Sequence, residues 1–429
     1  MSDAGRRSRL VRMFSSAVVN QALLSGASLA VSLVLIRRTS DSQYGYYVLV
    51  LAALLLITSL QNAFYGPAMV SRLTRFNREQ RSDLIGGLYR EQRQVWLGIA
   101  AIAVVATLVA YLLHRLDNQT GPLVLVAILA ALPALRREYF RSVLLAHRQS
   151  ENVLKSDVAY VILLISGAFA ATFSPFPAIT AVFTLAIAAI VGGALLAGTL
   201  DRHEPLNPSG APGILREIAP LALWSTGGAV IHWSFSQGYS FLVAGTLDIA
   251  AVAAVGAIRL LLMPVNLLST GIGSLMLPLA SRWLHDHGTK TAFSRLCLFA
   301  AALSGVALAY FGVLWLLRDW IFAAVLKKQF ADRDRLLLLW GVASILMVIR
   351  DQVVFLPITR ERFRTLTALT LLSAFIALSI SYVGMLKFGV IGALIGVLSG
   401  ECINVFGLIW LSLREVAQDD RRTTNISPV

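Results

Sequence analysis

The stretch Val158 to Leu200, VAYVILLISGAFAATFSPFPAITAVFTLAIAAIVGGALLAGTL, runs for 43 residues without an Asp, Glu, Lys or Arg. A bilayer crossing needs about 20 mostly apolar residues, so this run holds two. Ser174-Pro175-Phe176-Pro177 supplies the turn between them, because proline ends helices and favours tight reversals. The same rule applied outward gives Met13 to Ile36, Ser42 to Tyr65, Gln94 to His114 and a fourth crossing from Gly121 that carries Arg136, Arg137, Glu138 and Arg141 near its far end. The second half gives Ile218 to Ala244, Ile249 to Ser281, Leu296 to Leu317, Leu336 to Pro357, Thr365 to Met385 and Gly389 to Leu413. The expected fold is therefore an all-α polytopic membrane protein of twelve transmembrane helices in two six-helix lobes.

Composition agrees: of 429 residues, 57% are hydrophobic and 14% charged, more apolar mass than one water-soluble core can cover. The mean hydropathy is +0.72. A soluble enzyme and a disordered chain are excluded, and Cys297 and Cys402 lie inside apolar stretches rather than in a disulfide framework. The segment 201–216, dense in proline, glycine and charge, reads as a cytoplasmic linker between an N-terminal lobe (1–200) and a C-terminal lobe (217–413), followed by a cytoplasmic tail (414–429).

With the N-terminus inside, 26 of the 37 Lys and Arg face the cytoplasm and nine the other side, which places both termini in the cytoplasm. That bias accounts for the net charge of +14 without a nucleic-acid partner. Arg6, Arg7, Arg9 and Arg12 precede an apolar run too long for a secretory signal, so the first helix is read as uncleaved. Two lobes that both start inside imply a pseudo-two-fold axis along the membrane normal. Asp41 before span two and Gly66-Pro67 at its end are matched by Asp248 and Leu277-Pro278 around span eight. Between the spans, Pro67 to Arg93 reads as an amphipathic surface helix on the inside, and Arg318 to Arg335 as a helix lying in the interface.

Charge inside the membrane is expensive, about 3 kcal/mol for an arginine at mid-crossing, and so marks function or a buried ion pair. Arg259, ten residues into span eight, either faces an aqueous cavity and binds an anionic head group or pairs with an acid. Arg350, Asp351 and Glu401 form either a structural clasp or a site for a coupling ion or proton. Arg136, Arg137 and Arg141 form either a phosphate vestibule or a set of side chains snorkelling to the inner headgroups. Asn20, Gln21, Gln61, Asn62, His232, Gln237, Asn266 and Asn404 add milder polarity. Each singly suits an inter-helix hydrogen bond, and together they suggest a hydrophilic cleft between lobes suited to a sugar. Gly271-Ile272-Gly273 follows no strand, His285-Asp286-His287 has no supporting metal-ligand cluster, and no glycine loop leads to a Walker lysine. No cofactor, metal or ATP is expected.

Four stretches carry a family likeness: Leu35 to Tyr47, Phe140 to Arg148, Asp248 to Pro278 and Ile321 to Trp340. With these the chain resembles the polysaccharide flippases of the multidrug, oligosaccharidyl-lipid and polysaccharide exporter superfamily. The resemblance implies two six-helix bundles around a central cavity open alternately to each side. It also implies a polyprenyl-diphosphate-linked oligosaccharide, an O-antigen or exopolysaccharide repeat unit, as cargo across the inner membrane, and proteins of glycan polymerisation and export as pathway partners. Arg259 matches the eighth-helix position where such flippases often carry a cavity cation, whereas span one offers Asn20 and Gln21 without a mid-helix arginine. Two rivals stay open: a cation-coupled drug antiporter of the same fold, and a membrane-embedded glycan polymerase, against which the short outer loops speak.

Overall fold

The computed structural model describes residues 3–73, 75–147, 149–203, 207 and 212–425. Helices dominate and no strand occurs among the described residues. In chain order they are α1 (Asp3–Arg38), α2 (Asp41–Leu73), α3 (Arg78–Leu112), α4 (Thr120–Ala146), α5 (Ser150–Ala171), α6 (Pro177–His203) and α7 (Ile214–Thr246). Then follow α8 (Ile249–Leu261), α9 (Met263–Leu316, two helices joined at left-handed Gly288), α10 (Arg318–Trp320), a π-helical turn (Ile321–Leu326), α11 (Arg333–Val353), α12 (Phe355–Thr359), α13 (Phe363–Phe388) and α14 (Val390–Asn425). Nine helical segments among the described residues are long and apolar enough to cross a bilayer, or eleven when each of two bent pairs counts as one. The twelfth is α4, the helix of span four, whose second half carries Arg136, Arg137, Glu138 and Arg141. The protein is thus a multi-pass, twelve-helix membrane protein, an architecture in which each crossing satisfies its own backbone hydrogen bonds.

Several local expectations need correction. Pro67 to Arg93 is not a separate surface helix: α2 continues past Pro67 to Leu73, and α3 starts at Arg78 and runs unbroken into the membrane. Asn77 caps α3 through its side chain and a reciprocal Gln80 bond, while Leu84, Ile85 and Leu88 bury one face of its first turns. Arg318 to Arg335 is no continuous interfacial helix either, since the π turn buries Ile321, Phe322 and Leu326 and the chain then reverses through left-handed Lys327 and Asp332. Span eight is broken. The helix stops at Leu262 and restarts at Met263-Pro264 with a 54° bend, because Pro264 has no N–H to continue the ladder. At the break the Val265 N–H bonds to the Leu262 carbonyl, and the Leu261 carbonyl that would otherwise receive it accepts from the Tyr310 hydroxyl at 2.8 Å.

The chain forms two compact units, Met1–Val230 and Ile231–Val429. In the segment 201–216, Glu204 to Leu206 and Pro208 to Ala211 lie outside the described residues. Its remainder is tied to α3: Asn207 Nδ2 donates to Asp83 at 2.7 Å, and the Glu91 carboxylate accepts from the backbone N–H of Gly213 and, at 2.9 Å, of Leu215. A carboxylate at the first turn of α7 suits the positive end of the helix dipole. The core of the first unit gathers Tyr65, Leu88, Tyr139, Phe140 and Leu144 with Ile214, Ile218 and Ala222 from α7.

In the second unit α13 and α14 pack backbone to backbone. Gly392, Gly396 and Gly400 recur every four residues on α14, and a Cβ at Gly392 would lie 2.0 Å from the Gly384 carbonyl carbon. Small residues at this spacing let two helices approach closely in lipid.

Candidate functional site

In the first unit, α1, α2, α4 and α5 bring a polar network together. Asp157, fully buried on α5, accepts from Arg137 through one oxygen. Its other oxygen accepts from Asn20 Nδ2 at 2.7 Å and Arg141 Nε at 3.2 Å. Arg141 also reaches Glu138 at 3.5 Å, and Asn62 Nδ2 donates to Glu138 at 3.2 Å. The Arg137 guanidinium lies 3.6 Å from the Tyr160 ring centroid, and Gly192 and Gly193 on α6 leave room for it. Two arginines therefore face two carboxylates, and the group is internally neutral. Arg137 and Arg141 neither snorkel to headgroups nor stand free for a phosphate. Arg136 alone remains apart, exposed, with the Phe140 ring 5.8 Å from its guanidinium.

The uncharged run that marks span five begins at Val158 and so leaves Asp157 outside it, whereas α5 starts at Ser150 and carries Lys155 and Asp157. The signal was a single acid directly beside the uncharged run.

The second unit holds Arg259 in the last turn of α8, at the break rather than midway along an intact helix. Its Nη1 donates to Gln237 Oε1 at 2.9 Å, the Tyr239 hydroxyl at 3.1 Å and the Ser236 carbonyl at 3.4 Å, all on α7. Its guanidinium lies 5.6 Å from the Trp340 ring centroid and 5.9 Å from that of Tyr239. Every described partner is neutral, so the part-buried cation carries no ion pair among the described residues, and its Nε and Nη2 donors have no hydrogen-bond partner there.

Arg350 on α11 binds both oxygens of Glu401 on α14, at 2.7 and 2.9 Å, and also reaches Asp351 at 2.9 Å. Neighbouring side chains on a helix leave it about 100° apart, and the long Arg350 side chain nonetheless reaches Asp351. Ser269 of α9 donates to Asp351 Oδ2 at 3.1 Å. One cation between two carboxylates leaves this cluster one negative charge in excess.

Of the residues expected to line one cleft, Arg259 and Gln237 are in contact, and Asn20 and Asn62 sit in the network around Asp157 and Glu138. Gln21 is exposed, and no side-chain hydrogen bond joins Gln21, His232 or Asn266 to the others among the described residues.

No protein-family model and no curated protein matches the chain. Solved structures do. One is the inward-facing conformation of a multidrug resistance MATE family transporter of the MOP superfamily, with a TM-score of 0.73 and 13% identity over 93% of this chain and 96% of that one. Another is the lipid II flippase MurJ in an inward closed conformation, with a TM-score of 0.69 and 13% identity over 98% and 94%. The eukaryotic MATE transporter AtDTX14 matches with a TM-score of 0.66 and 11% identity over 96% and 98%. At such identities the likeness is one of fold: this chain is built like the twelve-helix transporters of that superfamily.

Proposed function

We propose that the protein is a flippase that carries an anionic, lipid-linked oligosaccharide across the inner membrane by alternating access, with both termini in the cytoplasm. The observation that carries this reading is Arg259, a cation in the membrane held only by neutral groups. A glycan diphosphate cannot cross hydrocarbon unaided and needs a polar route with compensating positive charge. The free edge of the Arg259 guanidinium offers two parallel N–H donors suited to a phosphate, while Gln237, Tyr239 and Trp340 hold its other side. Glycan hydroxyls would meet polar side chains such as His232 and Asn266, and the polyprenyl tail would stay in lipid. The fold shared with a lipid II flippase supports a lipid-linked cargo.

The Arg350, Asp351 and Glu401 cluster would serve the driving force. Its excess negative charge suits one proton or one small cation, whereas the balanced network around Asp157 gives a cation little to gain. In this reading the linker at 201–216 joins the two lobes.

A second reading is cation-coupled drug export, favoured by the likeness to the multidrug transporter. The two separate at Arg259. In proteoliposomes loaded with a fluorescent polyprenyl-diphosphate oligosaccharide, Arg259→Ala should lower translocation at least tenfold, the loss of a charge-assisted bond of about 1.5–3 kcal/mol, and Arg259→Lys should restore part of it. Unchanged lipid translocation, with faster efflux of a cationic dye by Arg259→Ala, would establish the drug antiporter instead.

A further inference from the structure

A pocket of about 210 Å³ opens where α2, α3 and α4 meet, lined among others by Gln61, Tyr89, Arg93, Trp96, Leu132 and Arg136. It belongs to neither constellation described above. Arg93 and Arg136 come from different helices, and neither has an acidic partner among the described residues. Gln61 is 3% exposed; its Nε2 donates to the Leu135 carbonyl at 2.8 Å, which fixes the amide orientation, and its Oε1 has no hydrogen-bond partner. The pocket thus combines two unneutralised cations, one buried acceptor awaiting a donor, and aromatic walls.

Its position restricts the ligand. Gln61 lies near the end of span two, Arg93 at the start of span three and Arg136 in the last third of span four, all at the side rich in Lys and Arg. Beyond the pocket α3 presents Val95, Leu97, Ile99 and Ile102 outward, and the apolar window of this helix is only 6% buried, so its flank is lipid-facing. A volume of this size suits a headgroup rather than an oligosaccharide.

We infer that this pocket holds one anionic phospholipid of the cytoplasmic leaflet, its phosphate between Arg93 and Arg136, a headgroup hydroxyl donating to Gln61 Oε1, and its acyl chains along α3. Basic pockets between membrane helices commonly take such headgroups. Phosphatidylglycerol has the required phosphodiester and hydroxyls; phosphatidylmethanol has the charge without the hydroxyl.

The full chain, purified and titrated with phosphatidylglycerol, phosphatidylmethanol or phosphatidylcholine, is read by native mass spectrometry. One phosphatidylglycerol should be retained in preference to the other two. Arg93→Gln and Arg136→Gln should each weaken retention about fivefold, and Gln61→Leu should erase the preference for phosphatidylglycerol over phosphatidylmethanol. Phosphatidylglycerol with brominated acyl chains gives a reading on unaltered side chains around the pocket: it should quench a fluorescence component that Trp96→Phe removes. The inference is overturned if the Arg93→Gln/Arg136→Gln protein retains phosphatidylglycerol as well as the parent, if no Trp96 component is quenched, or if inorganic diphosphate displaces the lipid, which would make the pocket a vestibule for cargo. Because Arg259 is untouched, translocation that depends on Arg259 can stand while this site falls, and the reverse.

Discussion

Arg350 on α11 spans both oxygens of Glu401 on α14 with one nitrogen while its other donors hold Asp351, so a single guanidinium joins two acids. Removing the cation strands both carboxylates; removing Glu401 still leaves Arg350 a partner. Arg350→Leu should therefore destabilise the protein by about 3–5 kcal/mol, and Glu401→Gln by clearly less. Thermal unfolding in detergent checks the order, and equal losses would show that the three groups do not act as a unit.

Asp157 tests whether the first unit's network is structural. Asp157→Asn leaves the guanidinium of buried Arg137 without its anion and should cost about 3 kcal/mol or more, with Arg137→Met in the same chain recovering much of that. A coupling site would behave otherwise: Asp157→Asn would unfold at the parent temperature yet lose the response of transport to an ion gradient.

Close packing of α13 on α14 predicts a graded response to side-chain size. At Gly396 a Cβ would fall 2.2 Å from the Ser381 hydroxyl and 2.4 Å from its backbone nitrogen, so the helices must separate to admit one. Gly396→Ala should cost about 1–3 kcal/mol and Gly396→Leu considerably more, whereas Gly305→Ala, with open space around it, should be nearly neutral. Yield of monodisperse protein and its melting temperature report the difference.

At the loop before α4, Asp117 accepts from the N–H groups of Thr120 and Gln119, and the Thr120 bond is the main cause that holds its carboxyl below the usual 3.8. A depressed carboxylate contributes stability above its unfolded value and loses it as pH falls through the lower folded value. Asp117 is exposed, so the effect is small. Asp117→Ala should lower the melting temperature slightly at neutral pH, and the gap should close as pH falls below 3.8; a gap that persists in acid would point to packing instead.

Most of the twelve crossings are legible because they leave long uncharged runs, and Ser174 to Pro177 marks one turn plainly: α5 ends at Ala171 and α6 begins at Pro177. Helix ends were less legible, since charge at the membrane edge does not stop a helix. Hence α3 runs back to Arg78, and α5 takes in Asp157. Partners were the hardest to foresee. The pairing of Arg350 with Glu401, 51 residues away, could be named because both lie within apolar runs of one lobe. Asp157 stands at the edge of an uncharged run, where an acid gives no signal of burial. The break after Leu261 had a visible cause in Pro264, but the same residue type sits inside α2 at Pro67 with no helix end there, so proline alone did not decide where a crossing divides.

The seventh helix begins among the side chains of the first unit, where Ile214, Ile218 and Ala222 join Tyr139 and Leu144, and ends in the second, where Tyr239 holds Arg259. Cleaving the polypeptide in its proline-rich connector would leave the amino-terminal fragment with a gap in its interior and the carboxy-terminal fragment with a greasy, unpartnered leader. Two halves made separately should therefore aggregate and recover only when synthesised together.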